Sequence, residues 1–334
     1  MPLSGGALTF YPVTRVETRP FEEGDLPAAG RLLAARHSRQ RQSRPLLSPR
    51  FEDPAVAEAE VTAAWKGDEA SGAVALRAGE IVGYLLGAPK PGSLWGPNVW
   101  VESAGQAATE PEVIRELYAA AATRWVDEGR TAHYVLVPSD DQDLVRAWFR
   151  LGFGHQHTHA VRPLPERPAT PPSGLRVRRA ERGDMPTLAR LDVELPAHQR
   201  LAPTFSAGEL GSYEESLAEW EEDFDDPDFA TFVAEHDGRV VGSAVGCALE
   251  KSTTNNGLIR PDHAGFLGFA AVFPDARGLG AGRALGEAVL DWCAQTGFGS
   301  VATDWRETNL FSSRAWRALG FQDTFVRLHR LLGY

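Results

Sequence analysis

The stretch FPDARGLGAGRAL (273–285) sets Arg277, Gly278, Gly280 and Gly282 between an expected strand and an expected helix. Glycines let the backbone turn so that successive N–H groups point into one concavity. A helix N-terminus adds a partial positive charge there, so the stretch can hold a diphosphate. Two familiar phosphate loops do not fit. A P-loop needs GxxxxGK[ST], and no lysine follows these glycines. A dinucleotide fingerprint needs GxGxxG, and its last position falls on Arg283 or Leu285. A second group of chemistry-bearing residues is HQHTHA, where His155, His157 and His159 alternate. Alternation puts all three on one strand face, where imidazoles could hold Zn or Cu. No Cys or carboxylate sits nearby in sequence, so the expectation is a polar, solvent-facing strand and no metal.

The elements that position these residues occur twice. RAWFRLGF (146–153) returns as RAWRALGF (314–321), and Trp148 and Trp316 set an offset of 168 residues. RPFEEGDLPAAGR (19–31) returns as RRAERGDMPTLAR (178–190), and EIVGYLLG (80–87) as RVVGSAVG (239–246), both at an offset of 159. Ordered matches of this kind indicate two copies of one fold. The expected division is a first domain at 1–162, a proline-rich linker at 163–173 and a second domain at 174–334. The prolines of VRPLPERPATPPSG (161–174) should block regular strand pairing. In the second copy the expected order is a strand at 175–180, then a helix capped by Asp184 with Pro186 in its first turn. More helix follows in the acidic stretch, then a hairpin at 229–249 turning at Asp237-Gly238 and a strand at 264–273. The order closes with a helix at 282–296, a strand at 299–305, a short helix at 310–319 and a last strand. The fold class is α/β (α+β), with a mixed, mostly antiparallel sheet flanked by helices in each domain.

Arg277-Gly278-Leu279-Gly280-Ala281-Gly282 resembles the R/Q-x-x-G-x-G/A acyl-CoA pyrophosphate loop of the GNAT acyltransferase superfamily. Val272 and Pro274 before the loop, Asn309 after the next strand and the Gly320-Phe321 pair fit the same order. The resemblance covers roughly residues 175–330. It implies two adjacent strands that splay apart after residue 272, with Ala271 and Val272 bonding the pantetheine arm of acetyl-CoA. It also implies that the loop through Arg283 holds the pyrophosphate, and that Asn309, Ser312, Ser313 and Trp316 flank the thioester. The family's acid is often a tyrosine, and Trp316 stands at that position. An indole does not readily release its proton, so Ser312 or Ser313 is left to bond the sulfur. An acceptor amine with a pKa of about 10.4 must lose a proton before it attacks. Asp304, His263 and Asp262 are the candidate bases, and the expected catalytic set is Asp304, His263 and Ser312. The implied function is acetyl-CoA-dependent N-acetyl transfer to a small, cationic amine. The alternatives are a mycothiol-synthase-like acetyltransferase and a non-catalytic acyl-CoA-binding regulator.

The first copy departs from the loop pattern. At the same offset Thr109 replaces Arg277, Glu112 replaces Gly280 and Ile114 replaces Gly282. Glu110 and Glu112 would repel a diphosphate, so only the second copy should bind CoA. The chain's net charge of −11 argues against a nucleic-acid partner. No apolar run approaches the roughly 20 residues of a membrane span, and two cysteines are too few for a disulfide framework. The expectation is a cytoplasmic monomer or homodimer. No Lys or Arg lies between Arg200 and Arg239, while YEESLAEWEEDFDDPDF (213–229) is densely acidic. Such a rim would concentrate a cationic acceptor.

Overall fold

A computed structural model of the chain describes residues 16–92, 95–206, 208, 210–252, 255 and 257–333. The first half runs β1 (Glu17–Pro20), α1 (Leu26–Ser43), α2 (Pro54–Trp65), β2 (Ser71–Arg77), β3 (Glu80–Gly87), β4 (Asn98–Val101) and β5 (Gln106–Ala108). It continues with α3 (Val113–Asp127), β6 (Ala132–Pro138), α4 (Gln142–Phe149) and β7 (Gly154–Pro163). The second half repeats that order. It runs β8 (Leu175–Arg179), α5 (Met185–Arg200), α6 (Tyr213–Asp223), β9 (Phe229–His236), β10 (Arg239–Ala248), β11 (Ala264–Val272), α7 (Ala281–Thr296), β12 (Ser300–Arg306), α8 (Leu310–Ala318) and β13 (Gln322–Leu331). The β11 position is held in the first half by two short strands, β4 and β5.

The repeated octamer ends a helix in both halves. Gly152 and Gly320 take the left-handed conformation, with φ of 82° and 88°, that a helix C-terminus uses to release the chain. The following Phe153 and Phe321 then bond back to the carbonyls of Trp148 and Trp316. Trp148 and Phe153 pack in the core beneath α3, while Trp316 and Phe321 pack in the matching core beneath α7. The phrase is therefore a piece of architecture.

The last strands are exchanged between the halves. The larger sheet has nine strands in the order β4-β6-β13-β7-β12-β11-β10-β9-β8, and β1-β2-β3-β5 form a smaller one. β7, the end of the first half, lies antiparallel to β12 of the second half. β13, the end of the second half, lies antiparallel to β6 of the first. The sheet runs unbroken across the point where the two copies meet. Strand pairing also reaches further than the prolines suggested: Arg162 and Pro163 still oppose Val301 and Ser300. By then β13 has ended, its last partner on this strand being Val161. With one flank of β7 already free, the missing N–H of Pro163 disrupts no second ladder.

Asp184 differs from the expected side-chain cap of α5. Its carboxylate accepts from the Glu181 N–H at 2.8 Å and from Arg178 at 2.7 and 3.0 Å. It thus fastens β8 to the turn ahead of α5. Asp25 repeats the arrangement with Glu22 and Arg19 in the first half.

Candidate active site

β11 and β12 run parallel and pair from Ala264–Ser300 to Leu267–Thr303, where the ladder stops. The hydroxyl of Thr303 donates to the Leu267 carbonyl at 2.9 Å and closes the last rung. The opening thus begins after residue 267, five residues earlier than the family resemblance implied. A bulge causes this. Opposite β10, the register steps from Phe269 to Leu267 and leaves Gly268 unpaired. A bulged residue bends its strand, and this one bends β11 away from β12 while β10 keeps its hold through Val272.

The opening leads to a cavity of about 370 Å³. Ala270, Ala271 and Val272 form one wall, Asn309, Phe311, Ser312, Ala315 and Trp316 another. The loop from Ala276 to Gly282 closes the end, and α5 covers the top with Glu194, Leu195 and His198. Gly278 and Gly280 have φ of 88° and 86°, a left-handed conformation that costs a non-glycine residue free energy. The turn they form delivers the chain into α7 at Ala281 and leaves the first N–H groups of that 16-residue helix facing the cavity end. Arg277 lies beside Glu194 at 3.7 Å, its guanidinium 5.0 Å from the Phe311 ring centre. Asn309 caps α8 by accepting from the Phe311 N–H at 3.2 Å.

Several residues named from sequence stand elsewhere. Leu279 and Arg283 are exposed and do not border the cavity; Arg283 pairs with Glu287 at 2.8 Å. Ser313 is buried behind the lining, whereas Ser312 is part of it. Trp316 is both core and cavity wall. His263 lies at the far end of β11, exposed, with its ring nitrogen 3.2 Å from the Gly297 carbonyl. Asp262 accepts from Ser48 of the first half at 2.9 Å. Neither Asp262 nor His263 borders the cavity.

Asp304 is the first β12 residue past the last β11 rung, and it is enclosed. His157 bonds its Oδ1 at 3.0 Å, and the Asn255 amide donates to its Oδ2 at 2.8 Å. Burial pushes the Asp304 carboxyl up, but His157 and the other neighbours together hold it well below the usual carboxylate range. Burial pulls His157 down to about 4 and lowers His159 as well. HQHTHA is therefore not a solvent-facing strand. β7 sits between β13 and β12, and His157 and His159 are enclosed with Asp304. His155 does not join them; its Nε2 meets the Thr158 hydroxyl at 2.9 Å.

A second cavity, about 400 Å³, lies on the other side of the bulge. Gly268, Phe266 and Phe269 of β11 border it, as do Asp192 of α5 and Glu219, Trp220, Asp223 and Phe224 from the acidic stretch. The carboxylate of Asp192 accepts from the Ser216 hydroxyl at 2.8 Å and from the Trp220 indole. Burial pushes its pKa up against those bonds. Asp192 was not singled out from sequence, because one acid in an amphipathic helix has no readable context. The acidic stretch itself was the visible signal. Glu221 and Glu222 are exposed and do not border the cavity, and Asp225 pairs with Arg182.

The corresponding cleft of the first half is filled. Strand pairing sets Gln106 at the position of Ala270, and the helical register sets Arg36 at that of Leu195. The Arg36 guanidinium, 3% exposed, donates to the main-chain carbonyls of Ser103, at 2.6 Å, and Gln106. Burial pulls its pKa down to about 10. The Gln106 amide donates to the Leu136 carbonyl at 2.7 Å, and its carbonyl accepts from Trp148 at 3.1 Å. About 100 Å³ remains. The loop is also shorter: 109–112 joins β5 to α3, where 273–280 joins β11 to α7.

Residues 196–321 match the model of the acetyltransferase (GNAT) family. No curated protein sequence matches the chain. Among solved structures, a GCN5-related N-acetyltransferase from Sphaerobacter thermophilus superposes with a TM-score of 0.54 at 17% identity, covering 96% of this chain and 97% of the other. A glucosamine N-acetyltransferase region of a fungal multi-domain β-N-acetylglucosaminidase gives 0.51 at 16%, over 96% of this chain and 38% of that one. At these identities the two likenesses speak to the fold alone, and they extend it over both halves. The family match falls on the segment that holds the open cleft and its glycine loop, so residues 196–321 carry an acetyltransferase (GNAT) domain.

Proposed function

We propose that the second half binds acetyl-CoA in the 370 Å³ cleft and transfers the acetyl group to the amine of a small organic cation. The observation that carries this reading is the cleft itself: a splayed strand pair whose open end is closed by a left-handed glycine turn at a helix N-terminus. The pyrophosphate rests on the N–H groups of that turn, beside Arg277. The pantetheine arm lies along Ala270–Val272, whose outward main-chain groups have lost β12 as a partner. The thioester then points past Ala270 toward Gly268, which borders the second cavity. Ser312 is the hydroxyl on the cleft wall available to the departing sulfur, and a thiol with a pKa of about 8.5 leaves with little help.

The acceptor enters from the 400 Å³ cavity. Its aromatic walls and three carboxylates suit an ammonium carried on an apolar body. Asp192, with its raised pKa, is the group suited to receive the ammonium and take up a proton from it. Asp304 does not serve as the base in this reading, since its lone pairs are committed and its affinity for a proton is low. His263 has no part in it. The test is thiol release from acetyl-CoA with tryptamine, phenethylamine, putrescine and glutamate as acceptors. The reading expects turnover with the apolar cations and none with glutamate. CoA binding without turnover on any amine would replace the enzyme reading by that of a binding protein.

A further inference from the structure

The cluster of His157, His159 and Asp304 lies outside both cavities and has no part in the reading above. Its three members come from two strands that belong to different halves. His157 and His159 alternate on β7, so their side chains leave the same face. Asp304 on β12 stands directly opposite His159 in the antiparallel register, where facing Cβ atoms lie about 5 Å apart. One nitrogen from each ring and one carboxylate oxygen fall within 4.8 Å of one another. The two rings sit 5.2 Å apart at 61°. His157 meets Asp304 through Nε2 at 3.0 Å, and that contact is the one an ion would enter.

Two imidazoles and one carboxylate are the donor set of borderline divalent metals, Zn²⁺ first among them. Asn255 supplies the outer support that such ligands need. Its carbonyl meets His159 Nδ1 at 2.9 Å while its amide donates to Asp304, so one side chain orients two ligands. The cations nearest the cluster are turned to other partners. Arg327 donates to Gln156 at 2.8 Å and lies over the rings of Trp95 and Trp100, each at 5.2 Å. Arg306 donates to Gln199 at 3.2 Å. Glu102 adds a negative charge on the first-half side.

We infer that His157, His159 and Asp304 form a site for one Zn²⁺-class ion, which staples the exchanged strand β7 of the first half to β12 of the second. The ion takes the place of the direct His157–Asp304 contact, so that both strands hold one centre. In this arrangement the first half supplies two of the three ligands.

The test uses the full chain, stripped with EDTA, and titrated with ZnCl₂ by calorimetry and with CoCl₂ by visible absorption. One ion per chain is expected, with the Co²⁺ spectrum of a four- or five-coordinate histidine site and a raised melting temperature. His157→Gln, His159→Gln and Asp304→Asn should each weaken Zn²⁺ by about 100-fold or more, and Asn255→Ala by about tenfold. His155→Ala should bind like the parent. The Co²⁺ spectrum of the parent decides the matter even if a variant misfolds. No binding by the parent overturns the inference and leaves a plain hydrogen-bonded network. Binding that survives Asp304→Asn but is lost in His155→Ala also overturns it, in favour of three histidines on one strand face. CoA affinity is measured alongside. It should be unchanged in the three ligand variants, so failure here and failure of the acetyl-transfer reading are separate results.

Discussion

The two clefts of this chain start from one fold and end in opposite states. In the second half Leu195 and Ala270 leave room between the strands, and eight loop residues build a left-handed turn at the start of α7. In the first half Arg36 and Gln106 occupy that room and satisfy each other's surroundings, and four loop residues span the same gap. The first-half cleft is not left as a hole. Interiors are packed as closely as organic crystals, so a cleft that no longer holds a ligand is filled or collapses. The polar filling draws the two Arg36 Nη atoms and the Gln106 amide onto main-chain carbonyls, while the Arg36 Nε stays buried without a partner among the described residues.

The most severe way to break the contrast is to spoil the turn. Gly280→Asp places a side chain at φ 86°, with its Cβ 3.2 Å from Pro172, and sets a negative charge at the proposed pyrophosphate site. CoA affinity should fall beyond detection in calorimetry. Gly282→Asp has steric room, its Cβ 3.7 Å from Val272, and should also lose CoA through charge alone. A Gly282→Asp variant with parental affinity would show that the anion lies elsewhere.

Converting one cleft into the other is the next largest effect. Leu195→Arg with Ala270→Gln should cost the second half at least about 100-fold in CoA affinity, or about 2.7 kcal/mol. The reverse exchange, Arg36→Leu with Gln106→Ala, should destabilise the fold by about 1–3 kcal/mol, because carbonyls lose their donor. It should create no CoA site, since the loop remains four residues short. Urea unfolding and calorimetry on both variants check this pair. A gain of CoA binding in the reverse variant would mean that the plug, and not the loop, silences the first half.

The first half also carries a titrating group that the second lacks. His37 is buried with Nε2 2.8 Å from the Ser48 carbonyl, and burial pulls its pKa down to about 4. A depressed pKa stabilises the fold at full strength above the unfolded value of about 6.5, and this is lost as pH falls toward 4. Between pH 7 and 4.5 the parent should lose about 2 kcal/mol more unfolding free energy than His37→Phe. Equal losses in urea titrations would remove His37 from the account. The smallest effect belongs to the acceptor side. Glu219→Gln with Asp223→Asn should lower kcat/KM for a cationic acceptor severalfold at low salt, with kcat nearly unchanged. The difference should fade as salt rises past about 0.1 M. Indifference to both changes would place the acidic stretch outside the reaction.

Much of this was legible in the residues. Periodicity, turn signals and the repeated phrases placed the helices and strands of the second half close to where they lie. The loop at 277–282 could be read because a left-handed turn admits few residue types and so marks itself in sequence. The exchange of β7 and β13 was not legible, because which last strand pairs with β6 and which with β12 is a long-range choice that no local pattern encodes. The surroundings of the candidate bases were not legible for a related reason. Asp304, Asp262 and His263 look alike as exposed strand-end residues in sequence. Only the fold shows that the first is enclosed by histidines from the other half, the second holds Ser48, and the third is remote. Arg36 gave no sign either, since an arginine within a helix is ordinarily on the surface.

The central claim is that one of two homologous clefts binds CoA. Calorimetry of the full-length chain with CoA tests it directly. The account predicts one CoA per chain, abolished by Gly280→Asp and untouched by Glu110→Gln with Glu112→Gln. Two CoA per chain, or a single site that survives Gly280→Asp, would contradict it.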